Sequence, residues 1–405
     1  MTRRRNLRPL ACAAAGAVAV IAGCGSSPSG SGTTSTRQTS SPSSTTTSTN
    51  STTASSDTTT TRPTTPTTSI PPGWTETGLL SQLIMVGANY SDPGASQQVV
   101  SEGAGGLVFL GQPAAGTGPT LTTEMDALLG AAHVVPLMAT DEEGGEIERL
   151  SNVVGALPWP RQMAEQWSTA EVTAQLTGVA QRMRALGMNM DLAPVLDTAS
   201  STDTIDDEDF RSFSEVGATA GAYGLAFLRG LTDGGMIGVV KHFPGLGHAN
   251  GDTDTGPATD PPLSSLEGDD LIPFEQAIAA HAPVVMMSNV TEPDWGQVPA
   301  SLNPAAYAFL RHLGFSGMIL TDSLDAGAIS DIGVDGAQAA ARAIEAGADM
   351  SMVTTPTDYP GALAALEQAV SSGRLPLNQV IDSVDRIIAV KNLILPATDR
   401  ITPPD

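Results

Sequence analysis

Between about residue 73 and residue 395 the chain alternates short apolar runs with amphipathic stretches. Eight of these runs have the length and the β-branched or apolar content of buried strands. They are residues 83–87, 106–110, 135–140, 190–195, 237–240, 284–287, 318–321 and 350–353. The first run is the least distinctive, because its residues fit the end of a helix equally well.

Amphipathic helices are predicted between the apolar runs. Ser168 and Glu171 have the spacing of a capping box, and apolar residues then recur at intervals of three and four. Asn303 before Pro304 predicts the start of another helix. Strands that alternate with helices predict a parallel sheet, and eight such units predict a closed (β/α)8 barrel of the TIM type as a single domain.

The first residues have the pattern of a targeting segment. Four arginines precede an apolar run at 10–22 that is too short to span a membrane, so residues 1–23 are predicted to be a signal peptide. The run closes on Ile-Ala-Gly-Cys at 21–24, which resembles the lipobox of bacterial lipoproteins. That resemblance implies cleavage before Cys24 and lasting attachment to a membrane through acyl chains such as palmitate.

Residues 24–72 are rich in Ser, Thr, Pro and Gly, and we predict a disordered linker because they cannot bury enough apolar surface to fold. The folded domain is predicted over residues 73–398, with a tail over 399–405. The formal charge is −24, which argues against nucleic acid as a partner. Cys12 and Cys24 are the only cysteines, so a cleaved chain has no internal disulfide.

Polar side chains follow five of the eight predicted strands. The carboxyl ends of parallel barrel strands form one rim, and active sites lie there. The residues at these ends are Asp141, with Arg149 eight positions later, Asp197, Lys241 with His242, Ser288 with Asn289, and Asp322. Each one alone fits a helix cap, a turn or a surface ion pair. Together they predict a single site, because a buried lysine beside a histidine is costly without a partner or ligand.

Four blocks of the sequence resemble glycoside hydrolase family 3, in particular its single-domain bacterial β-N-acetylglucosaminidases. They are Asp-Glu-Glu-Gly-Gly from residue 141 with Arg149, residues 189–197 with Arg-Ser-Phe at 211–213, Lys-His-Phe-Pro-Gly at 241–245, and residues 317–324. The resemblance implies that Asp322 is the nucleophile of a retaining hydrolysis. It also implies a set of residues that hold the terminal sugar, namely Asp141, Arg149, Arg211, Lys241 and His242.

The chain departs from this family on the loop after the Lys-His block. The family has Asp-Ser-His there, with the histidine as acid/base, whereas this chain reads Asp252-Thr253-Asp254. A second loop histidine of the family is Leu246 here, and His248 follows two residues later. Asp254 is the preferred candidate for the general acid by position, with Asp252 beside it. His248 is the alternative, if its glycine-flanked loop can move.

The combined prediction is a lipid-anchored, exo-acting retaining glycosidase on the extracytoplasmic face of the cell membrane. It would release terminal β-linked N-acetylglucosamine from cell-wall peptidoglycan fragments. Two alternatives stay open: a non-catalytic carbohydrate-binding lipoprotein, favoured by the missing histidine, and a β-glucosidase or glycosyl phosphorylase of the same family. The family's glucosidases usually carry the acid/base on a second domain, which this chain has no room for.

No cofactor is predicted for this chain. Its five histidines show no paired ligand spacing, no cysteine pair remains after cleavage, and no glycine-rich nucleotide loop is present. The predicted partners are therefore a carbohydrate substrate and, through the anchor, a membrane. The protein is expected to be a monomer.

Overall fold

The structure, a computed structural model, describes residues 69–199 and 210–404. Its strands are β1 (Ile84–Asn89), β2 (Gly106–Leu110), β3 (Leu137–Thr140), β4 (Glu142–Gly144), β5 (Ile147–Glu148), β6 (Met190–Asp191), β7 (Ile237–Phe243), β8 (Val284–Met287), β9 (Met318–Ser323) and β10 (Met350–Val353). β4 and β5 form an antiparallel hairpin. The other eight strands close a barrel in the order β1-β10-β9-β8-β7-β6-β3-β2, with every pair parallel. The predicted (β/α)8 barrel is confirmed.

Helices surround this barrel. In chain order they are α1 (Glu76–Gln82), α2 (Gln97–Ser101), α3 (Gly118–Ala131), α4 (Ser151–Val154), α5 (Pro160–Gln166), α6 (Thr169–Ala185), α7 (Gly217–Asp233), α8 (Leu263–Leu266), α9 (Leu271–Ala279), α10 (Pro304–His312), α11 (Gly327–Ser330), α12 (Gly336–Ala346), α13 (Tyr359–Ser371) and α14 (Leu377–Lys391). Short 3-10 helices lie at Pro93–Ser96, Pro293–Trp295, Ala300–Leu302 and Pro356–Asp358.

All eight predicted barrel strands are present. Strands that are covered by helices on one face and by the barrel interior on the other are mostly apolar, and β8 and β10 are buried along their whole length. The first run, residues 83–87, lies where the end of a helix is followed at once by a barrel strand. α1 ends at Gln82, and β1 begins two residues later at Ile84.

The predicted helix starts are also confirmed. The Ser168 hydroxyl accepts a hydrogen bond from the Glu171 backbone N–H at 3.3 Å, and the Glu171 carboxylate accepts one from the Ser168 N–H at 2.7 Å. This capping box fixes the first turn of α6. The Asn303 side chain likewise accepts a hydrogen bond from the Ala305 N–H at 3.0 Å, before Pro304 enters α10.

The predicted signal peptide, Cys24 and nearly all of the predicted linker lie outside the described residues. Within the part that the structure describes, no helix is both long and apolar enough to cross a bilayer. The predicted tail does contact the domain. The Asn392 side chain donates to the Ile401 carbonyl at 2.9 Å and accepts from the Ile401 N–H at 2.8 Å.

One of the two lysines is buried away from the strand ends that carry the predicted site. Lys391, in the last turn of α14, is fully buried, and its Nζ donates to the Gln82 side-chain oxygen at 2.7 Å. Burial lowers the pKa of Lys391 to about 7. A group that loses basicity on folding destabilises the fold at every pH below its unfolded pKa. The penalty is complete below pH 7 and fades as the pH rises toward 10.5, where the unfolded chain also loses the proton.

We therefore expect Lys391→Met to stabilise the protein by roughly 1–3 kcal/mol at pH 7 and by less than about 1 kcal/mol at pH 10. Methionine fills a similar volume without a charge. Thermal melts of wild type and variant at the two pH values test this expectation. A stability difference that does not change between pH 7 and pH 10 would contradict it.

Candidate active site

A cavity of about 310 Å³ opens at the carboxyl ends of the barrel strands. It collects eight of the nine predicted catalytic and sugar-binding residues, which are Asp141, Arg149, Arg211, Lys241, His242, Asp252, Asp254 and Asp322. His248 is not among its lining residues. Apolar side chains complete the wall, including Leu192, Met286 and Met352. A cavity of this size is at the lower end of the range for small-molecule sites.

Glu143 is the centre of the charged network and was not among the predicted site residues. Its carboxylate accepts two hydrogen bonds from Arg211, at 2.9 and 3.0 Å, and lies 2.5 Å from Lys241 Nζ. Burial raises the pKa of Glu143, but the charges of Arg211 and Lys241 outweigh it and hold the pKa well below the usual range. Glu143 is therefore ionised and fixes two cations of the cavity wall.

The sequence contained a signal for Glu143. Residues two apart in an extended segment point to the same side, so Asp141 and Glu143 face the cavity together while Glu142 turns away. Glu142 is fully buried, and burial raises its pKa to about 9. Its backbone N–H donates to Asp191, whose pKa burial raises to about 8. These two inward carboxyls are therefore neutral at pH 7.

Lys241 contacts the carboxylates of both Asp141 and Glu143. Its Nζ donates to Asp141 at 3.2 Å as well as contacting Glu143. Burial lowers the pKa of Lys241, but the charges of Glu143 and Asp141 raise it by more, so its pKa lies above the usual value. The lysine therefore stays charged although it is only 3% exposed. Arg149 lies 3.7 Å from the other Asp141 oxygen. Asp141 is thereby placed between two cations with its oxygens at the cavity wall.

Asp197 does not line the cavity but positions a residue that does. One of its oxygens accepts hydrogen bonds from the His242 N–H at 3.0 Å and the Leu246 N–H at 2.8 Å. The other lies 2.6 Å from His242 Nδ1. Asp197 thus contacts both the backbone and the ring of His242. The ring of His242 is therefore held in one orientation.

Asp322 lies at the end of β9 and lines the cavity. The Ser323 N–H donates to its Oδ1 at 2.7 Å. Burial raises the pKa of Asp322, whereas the charge of His242 lowers it. Asn289, another predicted strand-end residue, supports this strand from behind, because its side chain donates to the Ser323 carbonyl at 2.7 Å.

The two loop aspartates face the same cavity. The Asp254 N–H donates to Asp252 Oδ1 at 2.9 Å. The Asp254 carbonyl accepts a hydrogen bond from the Gly327 N–H of α11 at 2.9 Å, which ties the loop to the segment after β9. Burial raises the pKa of Asp254, and the neighbouring Asp252 charge raises it further. Asp254 is thus an acid that keeps its proton to higher pH than a free aspartate.

His248 lies on the other side of this loop. Its Nδ1 is 2.7 Å from Asp270, which precedes α9, and its side chain is about one-third exposed. The structure thus brings Asp252 and Asp254 to the cavity and places His248 against a different element. No cluster of three or more metal-ligating side chains occurs within residues 69–199 and 210–404.

The chain is similar to known proteins in both sequence and structure. The family model for the N-terminal domain of glycosyl hydrolase family 3 matches residues 79–390. Beta-hexosaminidase LpqI of Mycobacterium tuberculosis is 36% identical over 328 residues, which are 77% of this chain and 81% of that protein.

Solved structures give the same result. A family 3 glycosyl hydrolase from Mycobacterium smegmatis superposes with a TM-score of 0.73 at 34% identity, over 78% of this chain and 97% of that one. A family 3 β-N-acetylglucosaminidase from Paenibacillus has a TM-score of 0.73 at 28% identity, over 81% of this chain and 66% of that one. With the barrel and the rim of charged residues, these matches show that the chain is a glycoside hydrolase that belongs to glycosyl hydrolase family 3.

Proposed function

We propose that the protein is an exo-acting, retaining β-N-acetylglucosaminidase that acts on cell-wall fragments. The observation that supports this most directly is the position of Asp322, which faces the same small cavity as Lys241, His242 and Asp254. Retaining hydrolysis needs a carboxylate on one side of the sugar and a proton donor on the other. The names of the hexosaminidase relatives favour an N-acetylated amino sugar.

The cavity suits a single terminal sugar. Asp141, held by Lys241 and Arg149, presents carboxylate oxygens that can accept hydrogen bonds from sugar hydroxyls. Arg211 and Lys241 present donors from the same wall. Because Glu143 contacts both Arg211 and Lys241, these donors are held in position before the sugar arrives. A volume of about 310 Å³ leaves room for one ring, which favours removal of sugars from a chain end.

The proposed chemistry assigns the two roles by position. Asp322, in its ionised form, attacks the anomeric carbon while Asp254 donates its proton to the departing oxygen. Asp254, now ionised, then takes a proton from the incoming water as that water opens the glycosyl-enzyme. Water is favoured over phosphate as the acceptor. Once Asp322 is esterified, four carboxylates and only three permanent cations line the cavity, so an anion would be repelled.

We expect Asp322→Ala to lower turnover of an aryl β-N-acetylglucosaminide by at least about 10³-fold, because no covalent intermediate can form. A fluorinated N-acetylglucosaminide inactivator should add one sugar mass to the wild type and none to the variant. Products are analysed with and without phosphate to detect a sugar phosphate. Asp382→Asn, on an exposed position of α14, is the matched control. Wild-type turnover no faster than that of Asp322→Ala would exclude the glycosidase and favour a sugar-binding protein.

Asp254→Asn should lower kcat/KM by roughly 10²–10⁴-fold on a phenyl glycoside, which needs protonation, and by less than about tenfold on a dinitrophenyl glycoside, which does not. Asp252→Asn keeps the oxygen that accepts from the Asp254 N–H but removes the charge that raises the Asp254 pKa. The alkaline limb of kcat/KM should therefore move down by about 0.5–1 pH unit. Equal losses of Asp254→Asn on the two glycosides would assign the acid to another residue.

We also propose that the mature enzyme is held on the extracytoplasmic face of the membrane by acyl chains on Cys24. The basic segment, the short apolar run and the lipobox-like tetrapeptide support this proposal. Such an anchor would place the enzyme where peptidoglycan fragments are released.

Cys24→Ser should therefore move most of the protein from the membrane fraction to the medium, and incorporation of a labelled palmitate analogue should be lost. The activity per molecule should stay the same. Unlabelled wild-type protein, or an unchanged distribution in the variant, would contradict the anchor without affecting the proposed reaction.

A further inference from the structure

The loop that carries Asp252 and Asp254 is fixed at its far end by main-chain contacts. The N–H groups of Ala328 and Gly327 donate to the carbonyls of Thr253 and Asp254, at 3.0 and 2.9 Å. These bonds hold the tip of the loop to α11, which follows the strand that ends in Asp322. These bonds place the tip beside the nucleophile. The path of the loop toward the tip depends on the contacts at its other end, which we call the stem.

The stem, residues 244–250, is wedged against two neighbouring segments. The Leu246 N–H is bound by Asp197. A side chain at Gly247 is impossible without movement, because a Cβ there would lie 1.7 Å from the Thr198 carbonyl oxygen. Asn250 pairs with Thr259, which closes the base of the loop. The stem therefore passes through a narrow gap.

His248 connects this stem to Asp270. Its Nδ1 contacts Asp270 Oδ1 at 2.7 Å, and the same oxygen accepts a hydrogen bond from the Thr198 hydroxyl at 2.6 Å. Asp270 is 4% exposed, so its contacts are shielded from water and worth more than surface contacts. The hydrogen bond to Asp270 also raises the pKa of His248. One buried carboxylate thus ties the loop after β6 to the loop after β7.

We propose that His248 is a positioning residue that acts through this loop: its contact with Asp270 aims Asp254 at the oxygen of the leaving group. The inference rests on the proposed function, because it needs Asp254 as the acid. His248 is not among the residues that line the cavity. In this chain, where an aspartate occupies the position of the family's acid/base histidine, the remaining loop histidine serves the aspartate by fixing its approach.

The test uses the full-length enzyme and two glycosides that differ only in their need for protonation, the phenyl and the dinitrophenyl β-N-acetylglucosaminide. His248→Leu removes the contact. His248→Asn keeps it, because the asparagine amide nitrogen occupies about the position of Nδ1. His248→Gln cannot place a donor there and serves as a second loss variant if the leucine variant does not fold. His133→Leu, at an exposed histidine before β3, is the matched control.

We expect His248→Leu and His248→Gln to lose about tenfold or more in kcat/KM on the phenyl glycoside and less than about threefold on the dinitrophenyl glycoside, because kcat/KM reports the step in which the leaving group departs. His248→Asn should return to within about threefold of wild type on both. Asp270→Asn should show the same dependence on the leaving group, and combining it with His248→Leu should add little, as expected for two residues that act through one contact.

Three results would overturn the inference. Equal losses on the two glycosides, together with a lower Tm, would give His248 a purely structural role. No loss on either glycoside would show that the other contacts of the loop suffice. A selective loss on the phenyl glycoside that Asn does not rescue would make His248 itself the acid. A wild-type enzyme inactive on both glycosides would instead contradict the proposed function, so the two failures are distinguishable.

Discussion

The site depends on keeping one charged lysine in a place with almost no water. Lys241 is 3% exposed, and it remains an ammonium because Glu143 and Asp141 lie against it. Removing either partner of such a contact leaves an uncompensated buried charge, which costs about 3–5 kcal/mol. These charges therefore hold together the hairpin after β3, the end of β7 and Arg211. The same charged groups line the cavity that we propose binds a sugar.

A second constraint is that carboxyl side chains outnumber the cations around that network. Glu142 and Asp191 are buried behind the charged carboxylates, and burial keeps them protonated at pH 7. If they ionised, they would compete with Glu143 for Lys241 and Arg211. The carboxyls behind the cavity wall are neutral, and Glu143 on the wall is ionised. This difference lets an acidic chain hold the donors Lys241 and Arg211 in fixed positions. The same separation of environments distinguishes Asp254 from Glu143 across the cavity.

The loop after β7 has contacts of its own, apart from the residue that we propose as the acid. Leu246 packs with Ala249, Ala258 and Val290 in a small apolar cluster. The loop is thus stabilised by its own packing and by Asp197 and Asp270, independently of the residue that reaches the substrate. An aspartate can take the acid position because its surroundings, rather than its type, raise its pKa.

The sequence by itself determined the barrel and the rim. Strands buried on both faces need continuous apolar runs, and the caps at Ser168 and Asn303 marked two of the helices between them. These elements had local signals, and the residue after each run was placed at the carboxyl end. Only the tertiary structure decided which acids are charged and which residues touch. Glu142 and Glu143 are adjacent in the chain yet have opposite protonation states, and Lys241 meets a carboxylate 100 positions away. His248 faces Asp270 and not the cavity for the same reason, because burial and charge depend on groups that the fold brings together from distant positions.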